Sequence, residues 1–533
     1  TLRQNIMTVF DKVHDEDRTF DAIKDGGEDA AAAAPLPVHT AHTPDGNVTL
    51  FPASSDAYFL LNDLCALANG EPASFLPLHS LSKPFVLELL ESVLTNHARL
   101  FAGSSPKTAR HPELLYVLRS AACPFLLKAL SEPPAFPVFV RIMRLVLLLL
   151  RQFSEELVLE IEILLRMILK TLQGSKSVPL WHRVLALEVL RSLCADGYFM
   201  RRVYRWYDAG DAGPANVPAT PLFAEVVAAL TACLTELQPH LSVDAALTAA
   251  HQQIPEQAAP RPSQDKSYTL YGAASAAVAG VRNAAEGLLS ARTEALTANS
   301  APAIQLLDQL DKTEAPAPGS PPLPSTYLPL LVLWSHVLLA QSLALYVLRR
   351  YAEVYAHVEY APPALPASDD LAHVTAMLQM YARPANDALA FFLTVQGTDY
   401  VFDQALLALA NLGQAVGAVG LARDRDAVLA TLSDLGLPSS ALQGRTLSAR
   451  SWACQLALGS TAIALAGSLG ERWRTVLQTT ATALSFVPSE RTDGHAPTTV
   501  AAPRVPPGPG MIGDEVAGKA ELHAGIDKRF CHE

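Results

Sequence analysis

Apolar residues recur along this chain at intervals of three and four, the spacing that lines one face of an α-helix, from Leu2 to the neighbourhood of Phe486. Alternating Val, Ile and Thr runs bounded by Asn-Gly or Asp-Gly turns are nearly absent, so the pattern predicts an all-α fold. A first amphipathic helix carries Leu2, Ile6, Val9, Phe10 and Val13 on one stripe. It gives way to Asp25-Gly26-Gly27, an alanine run, and Pro35, Pro37 and Pro44, and residues 25–55 read as a disordered linker. Helical segments of ordinary globular length follow, punctuated by Gly and Pro: Ala57 to Ala68, Ser82 to Asn96, Pro112 to Leu130, Pro137 to Phe153, Glu155 to Leu172, Pro179 to Cys194 and Pro221 to Leu237. Helices joined by short turns stack as antiparallel pairs. No strict repeat period is visible, so the expected architecture, a degenerate armadillo/HEAT-like α-solenoid, rests on helix lengths rather than on a repeat motif.

Beyond this block the texture changes. Residues 239–323 are poor in long aliphatics and rich in Ala, Ser, Gln and Pro, the composition of a mobile insertion, with weak helical signal around Ala273 to Ala298. A second helical block spans residues 324–487, and residues 488–533 turn Pro- and Gly-rich, as a disordered tail does. The expected organisation is a first helix (1–24), the linker (25–55), a helical domain (56–238), the insertion (239–323), a second helical-repeat domain (324–487) and the tail (488–533).

Composition narrows the class of activity. The 533 residues are half apolar and 17% charged, with 40 Lys and Arg against 52 Asp and Glu for a net charge of −12. Such a balance excludes a disordered or cationic chain and disfavours nucleic-acid binding, which needs clustered positive charge. Cys65, Cys123, Cys194, Cys233, Cys454 and Cys531 lie far apart, with no CxxC pair and no histidines at zinc spacing, so neither a disulfide framework nor a metal finger is expected. Apolar neighbours of Cys65, Cys123 and Cys454 suit buried thiols in a reducing compartment. The chain starts at Thr1 without a secretory pattern and reads as a piece of something longer. Tyr327 to Leu348, Ala405 to Ala422 and Ser451 to Gly470 approach membrane-spanning length. A polytopic membrane protein is therefore the rival reading, although Ser335, His336, Gln341 and Ser342 interrupt the first stretch and suit a buried central helix better.

Catalytic chemistry finds no footing. Gly508 to Gly513 and Gly513 to Lys519 imitate phosphate loops, but Pro506, Pro507 and Pro509 remove N–H donors, no strand precedes them, and Ala520 stands where a hydroxyl belongs. His39 and His42 have metal-like spacing without a third ligand, and His336 on an apolar helix reads as a hydrogen-bonded core residue. Glu155, Glu156, Glu160 and Glu162 read as the polar side of a packed helix. No catalytic, cofactor-binding or metal residue is assigned and no cofactor is expected. What a helical stack offers is surface, so binding of partner proteins is the default activity.

Several segments carry a family likeness. Asp56-Ala-Tyr-Phe-Leu-Leu-Asn-Asp-Leu-Cys65, Leu81 to Leu94, Arg141 to Phe153 and Glu160-Ile-Glu162-Ile-Leu-Leu follow one another in the order found in the HUS domain of the large Arf guanine-nucleotide exchange factors and their relatives, which this chain resembles. Phe199 to Asp208, reading FMRRVYRWYD, falls where that family keeps its HUS box. Only Tyr207 and Asp208 match the box, a departure similar to the Mon-two branch, the relative that lacks the catalytic Sec-seven domain. Thr1 to Val13 resembles the last helix of the preceding DCB domain, which assigns 1–24 to DCB and 56–238 to HUS, while Leu421 to Asp426 and Trp473 to Gln478 are similar to the Mon-two middle region.

The resemblance implies a non-enzymatic scaffold on trans-Golgi and endosomal membranes, active in endosome-to-Golgi retrieval. It would be cytoplasmic and peripheral, with a Dopey-type scaffold protein and an Arf-like small GTPase as partners, and with a homodimer possible through DCB and HUS. Tyr207 and Asp208 carry over as the protein-interaction remnant of the box. The residues themselves leave a second option open: Asp208 capping or ending a helix over a packed Tyr207, with Gly210 and Gly213 terminating the segment. A regulatory amino-terminal part of an active exchange factor is the remaining alternative.

Overall fold

The computed structural model describes residues 2–24, 35–44, 46–77, 81–103, 110–173, 179–210, 220–238, 323, 327–355, 364–366, 368–395, 399–444 and 446–486. All of them belong to one compact unit, Thr1–Phe486. The insertion, the tail with its phosphate-loop imitations, Gly213 and Cys531 lie outside the described residues, Leu323 excepted.

The expected helices are present, most with ends within a few residues of the sequence reading. In the first block they are α1 (Leu2–Lys24), α2 (Pro52–Asn69), α3 (Lys83–Asn96), α4 (Pro112–Ser131), α5 (Phe136–Gln152), α6 (Val158–Gln173), α7 (Leu180–Cys194), α8 (Gly197–Val203) and α9 (Leu222–Leu237). The second block contains α10 (Tyr327–Val354), α11 (Asp369–Thr394), α12 (Asp399–Ala418), α13 (Ala422–Gly436), α14 (Ala449–Ala464) and α15 (Arg472–Leu484). Proline explains many of the starts, since it lacks the N–H that a first turn leaves unpaired: Pro52, Pro84, Pro112 and Pro137 all open helices. Gly70 ends α2 with φ +87°, in the left-handed conformation that glycine adopts without strain. Two helices contain a wider π turn, Leu118–Ala122 within α4 and Tyr204–Asp208 at the end of α8.

One departure falls in the expected linker. Residues 25–34 lie outside the described residues, but β1 (His39–Thr43) pairs antiparallel with β2 (Gly46–Leu50) in a hairpin, with His39 opposite Leu50. Ala41 and Leu50 are buried, and β1 lies against α4. The Asp45-Gly46 dipeptide before Asn47-Val48-Thr49-Leu50 is a hairpin signal, hidden in the sequence reading by the prolines around it. His39 and His42 sit on this hairpin: the ring of His39 meets Phe59 edge-on, and His42 Nδ1 lies 2.7 Å from Asn47 Oδ1.

The helices form an all-α solenoid whose successive members share one core. α1 lies on α2 and α3 through Ile6, Phe10 and Val13, while Leu2 and Val9 sit at the rim of that contact. α3 packs on α5, α6 on α7 and α9, and α7 then touches α10, so the two helical blocks meet directly. α7 is buried almost all round, as befits a helix covered from both sides. In the second block α12 is enclosed by α10, α11, α13 and α14, and its Gly413 and Gly417 let neighbours close in. A Cβ on Gly417 would stand 2.6 Å from both methyls of Leu465.

Among the described residues two helices, α4 and α10, are long and apolar enough to cross a membrane. In the most apolar window of α10, 83% of the residues are buried against protein, and several of the helix's polar groups find partners there. Ser335 Oγ donates to Leu331 O, the Tyr327 hydroxyl donates to Glu188 Oε1 at 2.5 Å, and Tyr381 OH donates to His336 O at 2.9 Å. Burial pushes the imidazole of His336 down to about 4, which keeps it neutral in this core. Cys65, Cys123, Cys194, Cys233 and Cys454 are free and buried, and burial pushes the Cys65 thiol up to about 12, far from the thiolate range.

Candidate protein-interaction site

The segment Phe199 to Asp208 grows out of an ordinary helix start. Asp196 caps α8, its carboxylate accepting Phe199 N–H at 3.0 Å, and Phe199 and Met200, with Val203 about one turn later, then bury their side chains. The π turn Tyr204–Asp208 follows, and it places Trp206 and Tyr207 in the core, Tyr207 with no exposed surface. Its hydroxyl donates to Val158 O at the first residue of α6, and its own carbonyl accepts Thr220 N–H at 2.6 Å. Burial, with Glu162 and Glu160 nearby, raises the Tyr207 phenol far above its usual range.

Asp208 does not stabilise its own helix. Its Oδ2 accepts Phe223 N–H at 2.8 Å and its Oδ1 accepts Ala224 N–H at 3.2 Å, so it caps α9, whose first turn follows Pro221 and lacks a capping side chain of its own. Burial raises its pKa, and these two donors pull the other way without overcoming it. Gly210, at φ +68°, turns the chain away immediately afterwards. Thr220 Oγ1 donates to Glu162 Oε1 at 3.2 Å, which joins α6 to the same knot. Tyr207 and Asp208 are thus brought together as internal fasteners of α6, α8 and α9.

What the turn shows to solvent is carried by its neighbours. Tyr198 is 59% exposed, and the Arg202 guanidinium lies 4.5 Å from its ring centroid and 5.3 Å from that of Trp206. Arg202 also pairs with Glu155 at 2.6 Å and donates to Ser154 Oγ. Arg205 is exposed one turn after Arg201. Tyr and Arg are the side chains over-represented at binding hot spots, since both cover apolar area while keeping polar tips. The sequence reading passed over Tyr198 and Arg205, although the run Tyr198, Arg201, Arg202, Arg205 is written in the helix itself.

A second cluster, invisible in the sequence because its members lie up to 94 positions apart, joins α1 to the start of α4. The His111 ring lies between two carboxylates, with Nδ1 at 2.8 Å from Glu113 Oε1 and Nε2 at 3.2 Å from Asp17. Arg110 reaches Asp17 at 3.0 Å and Asp21 at 2.7 Å. Glu16 completes the seam by accepting Ala53 and Ser54 N–H at the first turn of α2. Burial alone would lower the His111 pKa, but the hydrogen bonds and charges of Asp17 and Glu113 outweigh it and raise it to about 9.

The remaining acidic candidates serve packing. Glu155 and Glu156 fall in the turn before α6, where Glu156 accepts Gly103 N–H at 3.2 Å, and Glu160 and Glu162 lie beside Arg119 and Arg166. Among the described residues no group of three His, Cys, Asp or Glu is placed to hold a metal ion.

Residues 53–215 match the family model of the HUS domain described as Mon2/Sec7/BIG1-like. A protein MON2 homolog of Xenopus laevis is 30% identical over 257 residues, covering 44% of this chain and 14% of the relative, and the human one is 29% identical over the same length. A protein MON2 homolog of Schizosaccharomyces pombe is 24% identical over 464 residues, 83% of this chain and 25% of the relative, so the likeness runs on into the second helical block. The aligned part of the chain spans only 14% to 25% of the length of these relatives.

Proposed function

We propose that this chain, a MON2-type relative of the Sec7 and BIG proteins, is part of a non-enzymatic scaffold of Golgi and endosome traffic. It works in endosome-to-trans-Golgi retrieval and binds other proteins through the flanks of its helical stack. The observation that carries this reading is the turn Tyr204–Asp208, tied into the fold as a fastener by Tyr207 and Asp208, beside which Tyr198 and Arg205 present an aromatic and a cationic side chain to solvent. A site built in this way holds a docking surface in shape and offers no nucleophile or proton relay to a substrate.

In this reading the partners are a Dopey-type scaffold protein and an Arf-like small GTPase, and attachment to trans-Golgi and endosomal membranes is peripheral. Homodimerisation through the DCB and HUS parts belongs to the same proposal, with α1 as the DCB element seated on the HUS helices. Tyr207 and Asp208 act in partner binding by holding the segment in place, since their polar atoms are already engaged within the chain.

The test uses the full chain with an epitope tag in cells. Co-precipitation of the Dopey-type protein is expected, is lost in the double variant Tyr198→Ala/Arg205→Glu, and is accompanied by release from membranes on carbonate washing. Retention in the carbonate pellet points to the polytopic membrane alternative, and faster nucleotide release from an Arf-type GTPase in the presence of the purified chain points to the exchange-factor alternative. Either result overturns the scaffold reading.

A further inference from the structure

α9 turns its shortest side chains away from the core. Ala224, Ala228, Thr231 and Thr235 follow one another at steps of four, three and four, so they stand on one face of the helix, and Ala228 and Thr235 are exposed. With Met380 and Pro384 of α11 they line a groove of about 870 Å³. Side chains this short leave open the space that leucines would fill, while Met380 is exposed on the α11 side. Thr231 Oγ1 donates to Val227 O at 2.8 Å and Thr235 Oγ1 donates to Thr231 O at 2.9 Å, so both hydroxyls are engaged on their own helix. Glu236, at the end of the groove, is held by two nitrogens of Arg183 at 3.0 and 2.7 Å. What fits is therefore an apolar surface of small residues, about three turns or ~16 Å long on the α9 side.

The chain itself supplies such a surface. α9 ends at Leu237, just past Thr235 in the groove, and residues 239–322 lie between it and α10, which packs on both α9 and α11. The insertion thus leaves from one helix of the groove and returns at a helix that borders both. Within it Ala277, Val281, Ala284, Leu288, Ala291 and Ala295 recur at steps of four and three, the same alternation as on α9. Two such stripes let helix axes approach to about 8 Å, the close limit for packed helices. The connecting stretches, 239–276 and 299–326, can each reach ~90 Å or more when extended, several times the length of the groove. A segment tethered in this way is present at an effective concentration of roughly 0.1–1 mM, well above that of a second copy in micromolar solution.

We propose that residues 277–298 dock as a helix in the groove between α9 and α11, small face against small face. The insertion then adds a helix to the stack at the seam of the two helical blocks and buries the exposed side of Met380. Apolar packing holds it in place and no ion pair is needed, so the contact is insensitive to salt. A charge placed on either wall of the groove expels it, because a carboxylate there loses its water without gaining a partner.

The test has two arms, both in the full chain. In the first, amide hydrogen exchange of residues 277–298 is compared between the parent and the single variants Ala228→Glu and Met380→Glu, whose substituted positions are exposed and whose melting temperatures should stay close to that of the parent. The parent segment should exchange slowly, and either carboxylate should speed its exchange at least ~10-fold. In the second, a labelled synthetic peptide of residues 273–300 is titrated by fluorescence anisotropy against the parent and against a chain in which a Gly-Ser stretch of equal length replaces residues 277–298. The replaced chain should bind the peptide at least ~10-fold more tightly than the parent, whose own segment competes, and Ala228→Glu in the replaced chain should abolish the difference. Fast exchange of the parent segment overturns the proposal, as does a peptide that binds neither chain. Equal binding to both chains means that the groove is open to an outside partner, and a parent dimer that Ala228→Glu turns into a monomer assigns it to a second copy; either result also overturns the proposal.

Discussion

At the scale of single residues, the structure turns on polar side chains that serve an element other than their own. Asp208 leaves α8 to cap α9 with two hydrogen bonds, so Asp208→Ala should lower stability by about 1–2 kcal/mol, the cost of a lost helix cap. Tyr207→Phe removes only the hydroxyl donated to Val158 O and should cost about 1 kcal/mol. Urea melts of both variants give the numbers, and an unchanged Asp208→Ala midpoint would show that α9 is capped by other means. His111 makes a pH prediction. Its folded-state pKa of about 9 lies above the 6.5 of an unstructured imidazole, so the folded chain holds a proton that the unfolded chain has released. The resulting stability is complete below 6.5 and drains away as the pH rises toward 9. Relative to His111→Gln, the parent should lose on the order of 2–3 kcal/mol between about pH 6 and about pH 9.5, read from paired denaturation curves. A constant difference across that range would refute the charged sandwich.

At the scale of elements, the helices were legible in the chain because their causes are local. Apolar residues at helical spacing mark each buried face, and prolines at Pro112, Pro137 and Pro221 mark three of the starts. The hairpin of β1 and β2 was harder to see because each strand has only five residues and its apolar face consists of little more than Ala41 and Leu50. Glycines inside helices were equally mute. Gly413 and Gly417 look like weaknesses in α12, yet each marks a close approach: a Cβ on Gly413 would lie 2.8 Å from Val428 Cγ1, and one on Gly417 would collide with Leu465, itself 3% exposed and unable to swing out. Gly417→Val should therefore destabilise by about 2 kcal/mol, since an overpacking cost of about 3 kcal/mol outweighs the gain of under about 1 kcal/mol from replacing a helical glycine. Adding Leu465→Ala should recover part of the loss, and the two melting temperatures check it.

At the scale of the whole molecule, the two helical blocks close on each other through α7 and α10, with the buried hydroxyl of Tyr327 on Glu188 at their seam. A fragment of residues 1–238 would bare the faces of α7 and α9 that α10 and α11 cover, so it should bind a hydrophobic dye and self-associate, while residues 1–486 elute as a discrete species. Size-exclusion chromatography of the two decides it; a monodisperse, dye-free fragment would mean that the first block is self-sufficient. The division of labour between sequence and structure follows from range. Composition, helix positions and the buried nature of α10 could all be read along the chain, because each depends on residues within a few turns of one another. Which face meets which could not. The capping of α9 by Asp208, the His111 sandwich with Asp17 and the stacking of Arg201 on Tyr346 join residues 16, 94 and 145 positions apart. An apolar stripe states that a face will be covered without naming its cover, and only the packed helices bring those partners within hydrogen-bonding distance.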